Sequence, residues 1–278
     1  MIRHLAQLNI ATLRHPIDDP RTADFVNALP SVNATGEQSP GYVWRLQSDS
    51  GDATDIHVFD DPLVIVNLTV WQSLDALKAF AYHGIHRDFF RRRAEWFVPG
   101  STRTALWWVP AASLPTTDDA KRRLEFIEVF GASPYAFGMG QNHPALAVER
   151  VGPDDARAAA IIRQLDDNAE VSTDDACGCV VIELDDVAVG CGAYRRLDDT
   201  AAEVARIHVA QSARGMRVGA AIVAELETHA RANGLSRLLL DTSPQMVSLY
   251  KNFGFRVCKG RGRGDLPGSM RVEKMLST

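Results

Sequence analysis

Glu203-Val204-Ala205-Arg206-Ile207-His208-Val209, a bend, and then Arg214-Gly215-Met216-Arg217-Val218-Gly219-Ala220 is the stretch that decides how this chain reads. Its first part has strand character, and a helix is predicted from Val218 to Ala232. The turn between them holds only small, basic and flexible residues. Such a turn presents backbone N–H groups and the positive end of a helix dipole to an anion. Gly215 and Gly219 let the backbone approach phosphate oxygens, and Arg214 supplies charge, so a pyrophosphate fits there. Glycine at a strand-to-helix turn is common in α/β proteins, so the neighbouring elements must narrow the reading.

Downstream, Asn233-Gly234 suits a left-handed helix end, and Ser236 to Asp241 is an apolar strand. Ser243-Pro244 offers an N-cap and a first-turn proline to a helix from Gln245 to Asn252. Within that helix and just beyond lies Ser248-Leu249-Tyr250-Lys251-Asn252-Phe253-Gly254-Phe255. Strands near Phe255 to Lys259 and Met270 to Met275 follow. Upstream, a strand at Ala147 to Arg150 precedes a helix at Asp154 to Leu165. Strands at Cys179 to Leu184 and Val187 to Arg195 are joined by Asp185-Asp186, a two-residue hairpin turn.

From Leu146 to Thr278 this order, with its two separate motifs, resembles the GNAT superfamily of acyl-CoA-dependent N-acetyltransferases. There an Arg/Gln-x-x-Gly-x-Gly/Ala loop grips the pyrophosphate of CoA, and a later Leu-Tyr-x-x-x-Gly-Phe marks the next helix. The resemblance implies that acetyl-CoA is the co-substrate and that an amine of a small molecule or peptide accepts the acetyl group. It places CoA contacts at Ile207, His208 and Val209, at Arg214, Gly215, Met216, Arg217, Val218, Gly219 and Ala220, and at Lys251. The strand ending at Val209 should splay from the strand Ser236 to Asp241, with a backbone N–H near Val209 stabilising the thioester oxyanion. Glu203 occupies the place of the general base, and Tyr250 that of the acid which protonates the departing thiolate. His208 is a second candidate base or a pocket-lining histidine. Arg217 stands where the family usually has its first loop glycine; if that position needs positive φ, an arginine costs about 1 kcal/mol.

The first half reads differently. Strands are expected at Leu5 to Ile10, Tyr42 to Leu46, Leu63 to Val70 and Thr104 to Val109, and helices at Thr22 to Leu29, Leu74 to Tyr82 and Arg87 to Trp96. That β-α-β-β-α-β order is the ferredoxin-like arrangement. With Trp71-Gln72-Ser73-Leu74-Asp75-Ala76-Leu77-Lys78-Ala79-Phe80 after an apolar strand, it resembles dimeric α/β-barrel domains of the antibiotic-biosynthesis-monooxygenase-like class. Such domains pair face to face as homodimers, and some bind haem or aromatic substrates. His83 and His86, three apart, are candidate metal or haem ligands, set against ordinary hydrogen-bonded histidines. All five tryptophans precede residue 110 and all four cysteines follow residue 176, so two separate cores are expected. Gly138-Met139-Gly140-Gln141-Asn142-His143-Pro144 reads as the linker, dividing the chain into 1–143 and 144–278. The fold class is α+β, a ferredoxin-like domain followed by a mixed-sheet acyltransferase domain.

Composition bounds the alternatives. The 278 residues are 46% hydrophobic and 23% charged with a net charge of −5, which suits two globular domains. Lys and Arg number 13 against 16 acidic residues up to Ala145, and 17 against 19 beyond, so neither half is built to hold a nucleic acid. No apolar run reaches the length of a membrane span and the start is unlike a signal peptide, so a cytoplasmic location is expected. Cys177-Gly178-Cys179 lacks a second pair at zinc spacing, and no metal is expected. The pairs Asp166-Asp167, Asp174-Asp175 and Asp198-Asp199 could draw a cationic acceptor or sit in solvated turns. Two other function classes stay open: a non-catalytic acyl-CoA sensor, and a haem- or aromatic-ligand-binding module acting through the first domain.

Overall fold

Two strands of alternating pattern, β1 (Arg3–Thr12) and β3 (Val64–Trp71), form the centre of the first sheet. The computed structural model describes residues 2–152, 154–165, 176–261 and 268–276. The chain divides into two units, Met1–His143 and Pro144–Thr278, each with its own sheet.

In unit 1, β1 leads through α1 (Ala23–Glu37) to β2 (Tyr42–Arg45) and then β3; α2 (Leu74–Ala81), α3 (Gly84–Arg92), β4 (Arg103–Pro110) and α4 (Thr117–Phe130) follow. The sheet order is β2-β3-β1-β4, with every neighbouring pair antiparallel. Ser73 starts α2 by accepting the Ala76 N–H at 3.1 Å. Helix α1 continues through Pro30, where the sequence reading stops it. Ala28 and Gly36, on either side of the proline, are buried. Helix α4 is an element the sequence reading missed, although Thr116, which caps it, and Asp118 and Asp119 in its first turn were the signal.

The two faces of this sheet are unlike. One buries Ala6, Leu8, Ile10, Val66, Leu68, Val70 and Trp107 beneath Ala120 and Leu124 of α4. On the other, Leu5, Trp71, Leu74, Leu77, Leu106 and Phe137 form a second core at one end. The expected face-to-face dimer needs an open sheet face; here α4 covers one face, leaving its core side chains at most 7% exposed. The Nδ1 of His83 lies 2.9 Å from the Ala79 carbonyl, and that of His86 2.9 Å from the Ala81 carbonyl.

Unit 2 runs β5 (Leu146–Val151), α5 (Ala156–Leu165), β6 (Ala176–Leu184), β7 (Val187–Arg196), β8 (Ala201–Val209), α6 (Val218–Ala232), β9 (Arg237–Thr242), α7 (Val247–Asn252), β10 (Arg256–Arg261) and β11 (Met270–Met275). Its sheet order is β10-β11-β9-β8-β7-β6-β5, and β8 with β9 is the parallel pair among the described strands. Asp185 and Asp186 both take positive φ, 48° and 66°, as a type I′ hairpin turn requires. Ser243 precedes a short 3₁₀ turn, but its side chain makes no cap hydrogen bond, unlike the cap expected there. Gly190 on β7 lies against the start of α6: a Cβ there would stand 2.7 Å from Val218 Cγ1. This close approach seats the helix N-terminus on the sheet.

Cys179 and Cys191 are buried and Cys258 is half-buried. The Cys177 side chain, Asp166-Asp167 and Asp174-Asp175 lie outside the described residues. Asp198 accepts hydrogen bonds from the Thr200 and Ala201 N–H groups in an exposed turn. Among the described residues no helix is long and apolar enough to cross a membrane.

Candidate active site

Strand β8 carries the geometry of the site. Against β7, Tyr194 pairs with Val204 but Ala193 with Arg206, so Ala205 is the extra residue of a β-bulge. A bulge bends its strand and shifts the alternation of side chains by one. The register therefore puts His208, paired with Cys191, on the same face as Glu203, paired with Arg195. On its other edge β8 pairs with β9 only over Ala201–Glu203 against Arg237–Leu239. From Val204 onward the strands part. The Ala210 N–H donates to the Val189 carbonyl at 2.8 Å, toward β7. Amide groups alternate edges along a strand, so the Val209 N–H points to the edge that β9 has left.

The parted strand runs through a 3₁₀ turn into an exposed loop, Arg214 to Arg217. Gly215 takes φ +83° and Arg217 φ +61°, ψ 20°, both left-handed. That conformation reverses the chain sharply enough to begin α6 at Val218. Arg217 is the N-cap of α6 and gives it no side-chain cap. The first helical bond recorded there runs from the Ala221 N–H to the Arg217 carbonyl at 3.0 Å. The N–H groups of Val218, Gly219 and Ala220 belong to the turn that no helix can satisfy internally. Val218 and Ala220 bury their side chains, so only their backbones face a ligand. A Cβ on Gly219 would touch only Val209 Cγ2, at 3.7 Å. Met216 is 39% exposed, and Ile207, His208 and Val209 are half-buried.

Tyr250 sits on α7 with 9% of its surface exposed, its ring 5.9 Å from Phe255 and 6.4 Å from Phe253. Burial pushes its phenol above the ordinary value, so the group stays protonated throughout the neutral range. Lys251, next along the helix, is exposed.

Glu203 is held on both sides by arginines. One carboxylate oxygen accepts from Arg195 Nε and Nη2, at 2.9 and 2.6 Å, and the other accepts from Arg271 Nη2. Arg271 also donates to Asp241 at 2.9 Å. The carboxylate, 7% exposed, is thus the middle of a charge ladder across β7, β8, β9 and β11. Both of its oxygens are already occupied by arginine donors. The ladder lies where the β8–β9 pairing ends and ties the two strands at that point. Sequence reasoning missed Arg195, Arg271 and Asp241, which become neighbours of Glu203 only through the strand order.

Comparison with protein families finds a match over residues 4–152 to the domain of unknown function DUF3291, more than half of the chain. The chain belongs to the DUF3291 family. The DUF3291 match ends at β5, which pairs with β6 in the second sheet. Residues 147–255 match the acetyltransferase (GNAT) family, so the DUF3291 segment is followed by a GNAT acyltransferase domain. Among solved structures, a protein described as an acyl-CoA N-acyltransferase from Klebsiella pneumoniae is 26% identical over 48% of this chain and 98% of its own, with a TM-score of 0.41. A GNAT family acetyltransferase from Elizabethkingia anophelis with acetyl-CoA bound is 15% identical over 47% and 98%, at 0.41. N-acetylglutamate synthase from Neisseria gonorrhoeae, complexed with coenzyme A and N-acetyl-glutamate, is 19% identical over 48% and 36%, at 0.39. Among curated proteins no match is found. Among the described residues no group of three or more His, Cys, Asp or Glu stands together to hold a metal.

Proposed function

We propose that unit 2 transfers an acetyl group from acetyl-CoA to an amine. The observation that carries this reading is the α6 N-terminus, which lacks a side-chain cap and opens where β8 has parted from β9. The pyrophosphate of CoA takes the place of the missing cap. It accepts hydrogen bonds from the first-turn N–H groups and draws on the helix dipole and on the charges of Arg214 and Arg217. The pantetheine arm follows the open edge of β8 and pairs with it as β9 does further back. At the end of the arm the Val209 N–H polarises the thioester carbonyl and stabilises the oxyanion formed when the amine attacks. Tyr250, held protonated by burial, gives its proton to the departing CoA thiolate.

With Glu203 bound by two arginines, its part is to anchor β8 at the point of divergence. The proton of the attacking ammonium then passes to water or to His208, on the same face of β8. For unit 1 the ferredoxin-like reading is supported by its sheet order, in which β3 lies between β1 and β2 and every neighbouring pair is antiparallel.

Calorimetric titration of acetyl-CoA into wild type and Gly219→Glu tests the proposal. A carboxylate at the helix start suits the dipole and leaves the fold intact. Roughly 5 Å from a phosphate it adds about 1–3 kcal/mol of repulsion per phosphate charge. Micromolar binding to wild type, weakened at least about tenfold in the variant, is expected. Equal binding to both proteins, or none to wild type, overturns the reading.

A further inference from the structure

The second face of the unit 1 sheet is apolar at one end and polar at the other. Gln7 pairs across the strands with Thr69, and Asn9 with both Asn67 and Thr104. Asparagine is depleted in strands, and the centre of a sheet is where it is least expected. Here Asn9 and Asn67 sit opposite each other on the two central strands. They form the floor of a cavity of about 380 Å³ between the sheet and helices α1 to α3.

Hydrogen bonds fix how that floor is presented. The Trp71 indole N–H donates to Thr69 Oγ1 at 2.9 Å, so the Thr69 hydroxyl must donate elsewhere, and it does so to Gln7 Oε1 at 2.8 Å. Thr104 donates to Asn9 Oδ1 at 3.1 Å. Both carbonyl oxygens are thereby taken, which leaves the NH₂ groups of Gln7 and Asn9 as donors. Among the described residues no protein group accepts from them, and Asn67 makes no side-chain hydrogen bond at all. Asn67 is nevertheless exposed, in a strand whose next residue, Leu68, is 1% exposed.

The walls are aromatic. On one side Phe89 stacks on Trp96 at 5.7 Å, and Phe25 stands edge-on to Phe97 at 5.2 Å. On the other Trp71 stacks on Phe80 at 5.2 Å, and Phe80 meets His86 at 4.7 Å. Phe25, Phe80, Phe89 and Phe97 are only half-buried, so part of each ring remains open to a ligand. Of the charged groups at the rim, Arg45 pairs with Glu37 at 2.7 Å, Asp52 accepts from Thr54, and Arg93 is turned onto Phe90, donating to its carbonyl at 2.8 Å with the guanidinium 4.2 Å from its ring centre. Burial holds the His86 imidazole below its ordinary value, which keeps it neutral near pH 7.

We infer that this cavity is a binding site for an uncharged, flat aromatic molecule of one or two rings that carries a hydrogen-bond-accepting carbonyl. The volume falls in the lower part of the range for small-molecule sites, about 300–1000 Å³. Aromatic walls on two sides give faces and edges for stacking. The amide floor supplies donors aimed at a carbonyl oxygen. A carbonyl bound there accepts from NH₂ groups that no protein acceptor serves among the described residues, and this decides the ligand's orientation. The site is independent of acyl transfer by unit 2.

Coumarin, neutral with two fused rings and a lactone carbonyl, is the probe. It is titrated into the ¹⁵N-labelled full chain while the Trp71 indole N–H is followed, with coumarin-3-carboxylate as the charged comparison. A saturable shift with a Kd below about 1 mM is expected. Asn67→Leu should weaken binding at least about tenfold without lowering Tm, because this side chain holds nothing in place. Val32→Trp, which fills the cavity from α1, should abolish binding. No saturable shift in wild type, equal affinity in Asn67→Leu, or tighter binding of the carboxylate overturns the inference. Acetyl-CoA titrations run on the same samples separate its failure from failure of the acyltransferase reading.

Discussion

Arg217 offers the sharpest test of the loop. Its φ of +61° and ψ of 20° put an L-residue with a long side chain in the left-handed region at the N-cap of α6. That conformation costs a non-glycine residue about 1–2 kcal/mol. Glycine escapes this cost but loses about 0.5–1 kcal/mol more conformational entropy on folding. Arg217→Ala and Arg217→Gly both delete the side chain, with every contact and charge it carries, and differ only in backbone preference. The glycine variant should therefore be the more stable by roughly 0.5–1 kcal/mol, a difference of about 2–5 °C in Tm for a unit of this size. Acetyl-CoA affinity should fall alike in both, by about three- to tenfold at low salt, and the loss should shrink as salt screens the phosphates. Thermal melts and calorimetry at two ionic strengths supply the readings. Equal Tm values would refute the claim that strain is stored at this residue. Unchanged affinity in both would remove Arg217 from the phosphate site.

Three further outcomes are expected. Tyr250→Phe should lower turnover by about a hundredfold or more while leaving acetyl-CoA affinity within about twofold, as loss of a general acid does; steady-state kinetics beside calorimetry would check it, and undiminished turnover would exclude the role. Gly190→Ala should destabilise unit 2 by about 1–3 kcal/mol in urea melts, because its Cβ would meet Val218 Cγ1 at 2.7 Å. His229, on α6 with its ring 5.6 Å from Tyr194, is held below its ordinary 6.5 first by burial and then by Arg150. Since the unfolded chain takes up the proton first, its stability contribution is complete above about 6.5 and is lost as pH falls through the folded-state value. His229→Leu should flatten the decline of Tm on acidification, and an unaltered slope would contradict this.

Much of unit 2 was legible because its signals are local. The left-handed hairpin turn at Asp185-Asp186, the helix Val218 to Ala232 with Gly234 beyond its end, and the loop between β8 and α6 each depend on backbone preferences of neighbouring residues. The family resemblance puts Arg217 where a loop glycine is usual, and its φ of +61° is one that glycine adopts freely. In unit 1 the apolar run of β3 and the capped start of α2 were equally local. Helix α4 went unread although Thr116 and the acidic residues after it mark its start, and α1 was cut short at Pro30, which the helix carries inside it.

Glu203 and the cavity show where local reading ends. Nothing near residue 203 announces Arg195 or Arg271; they reach it because β7, β8, β9 and β11 lie side by side, and a carboxylate's chemistry depends on which charges surround it. His208 came to the Glu203 face only through the bulge at Ala205, one residue that inverts the alternation read from the sequence. Nothing local marks Gln7, Asn9 and Asn67; the register sets Asn9 opposite Asn67 and Gln7 opposite Thr69 under aromatic walls. Backbone preference and hydrophobic period act over a few residues, so the sequence by itself determined the elements, the pyrophosphate loop and the acyltransferase resemblance. Strand order, bulge register and burial arise from contacts between residues far apart in the chain, so only the tertiary structure decided which groups face a ligand and which are already held.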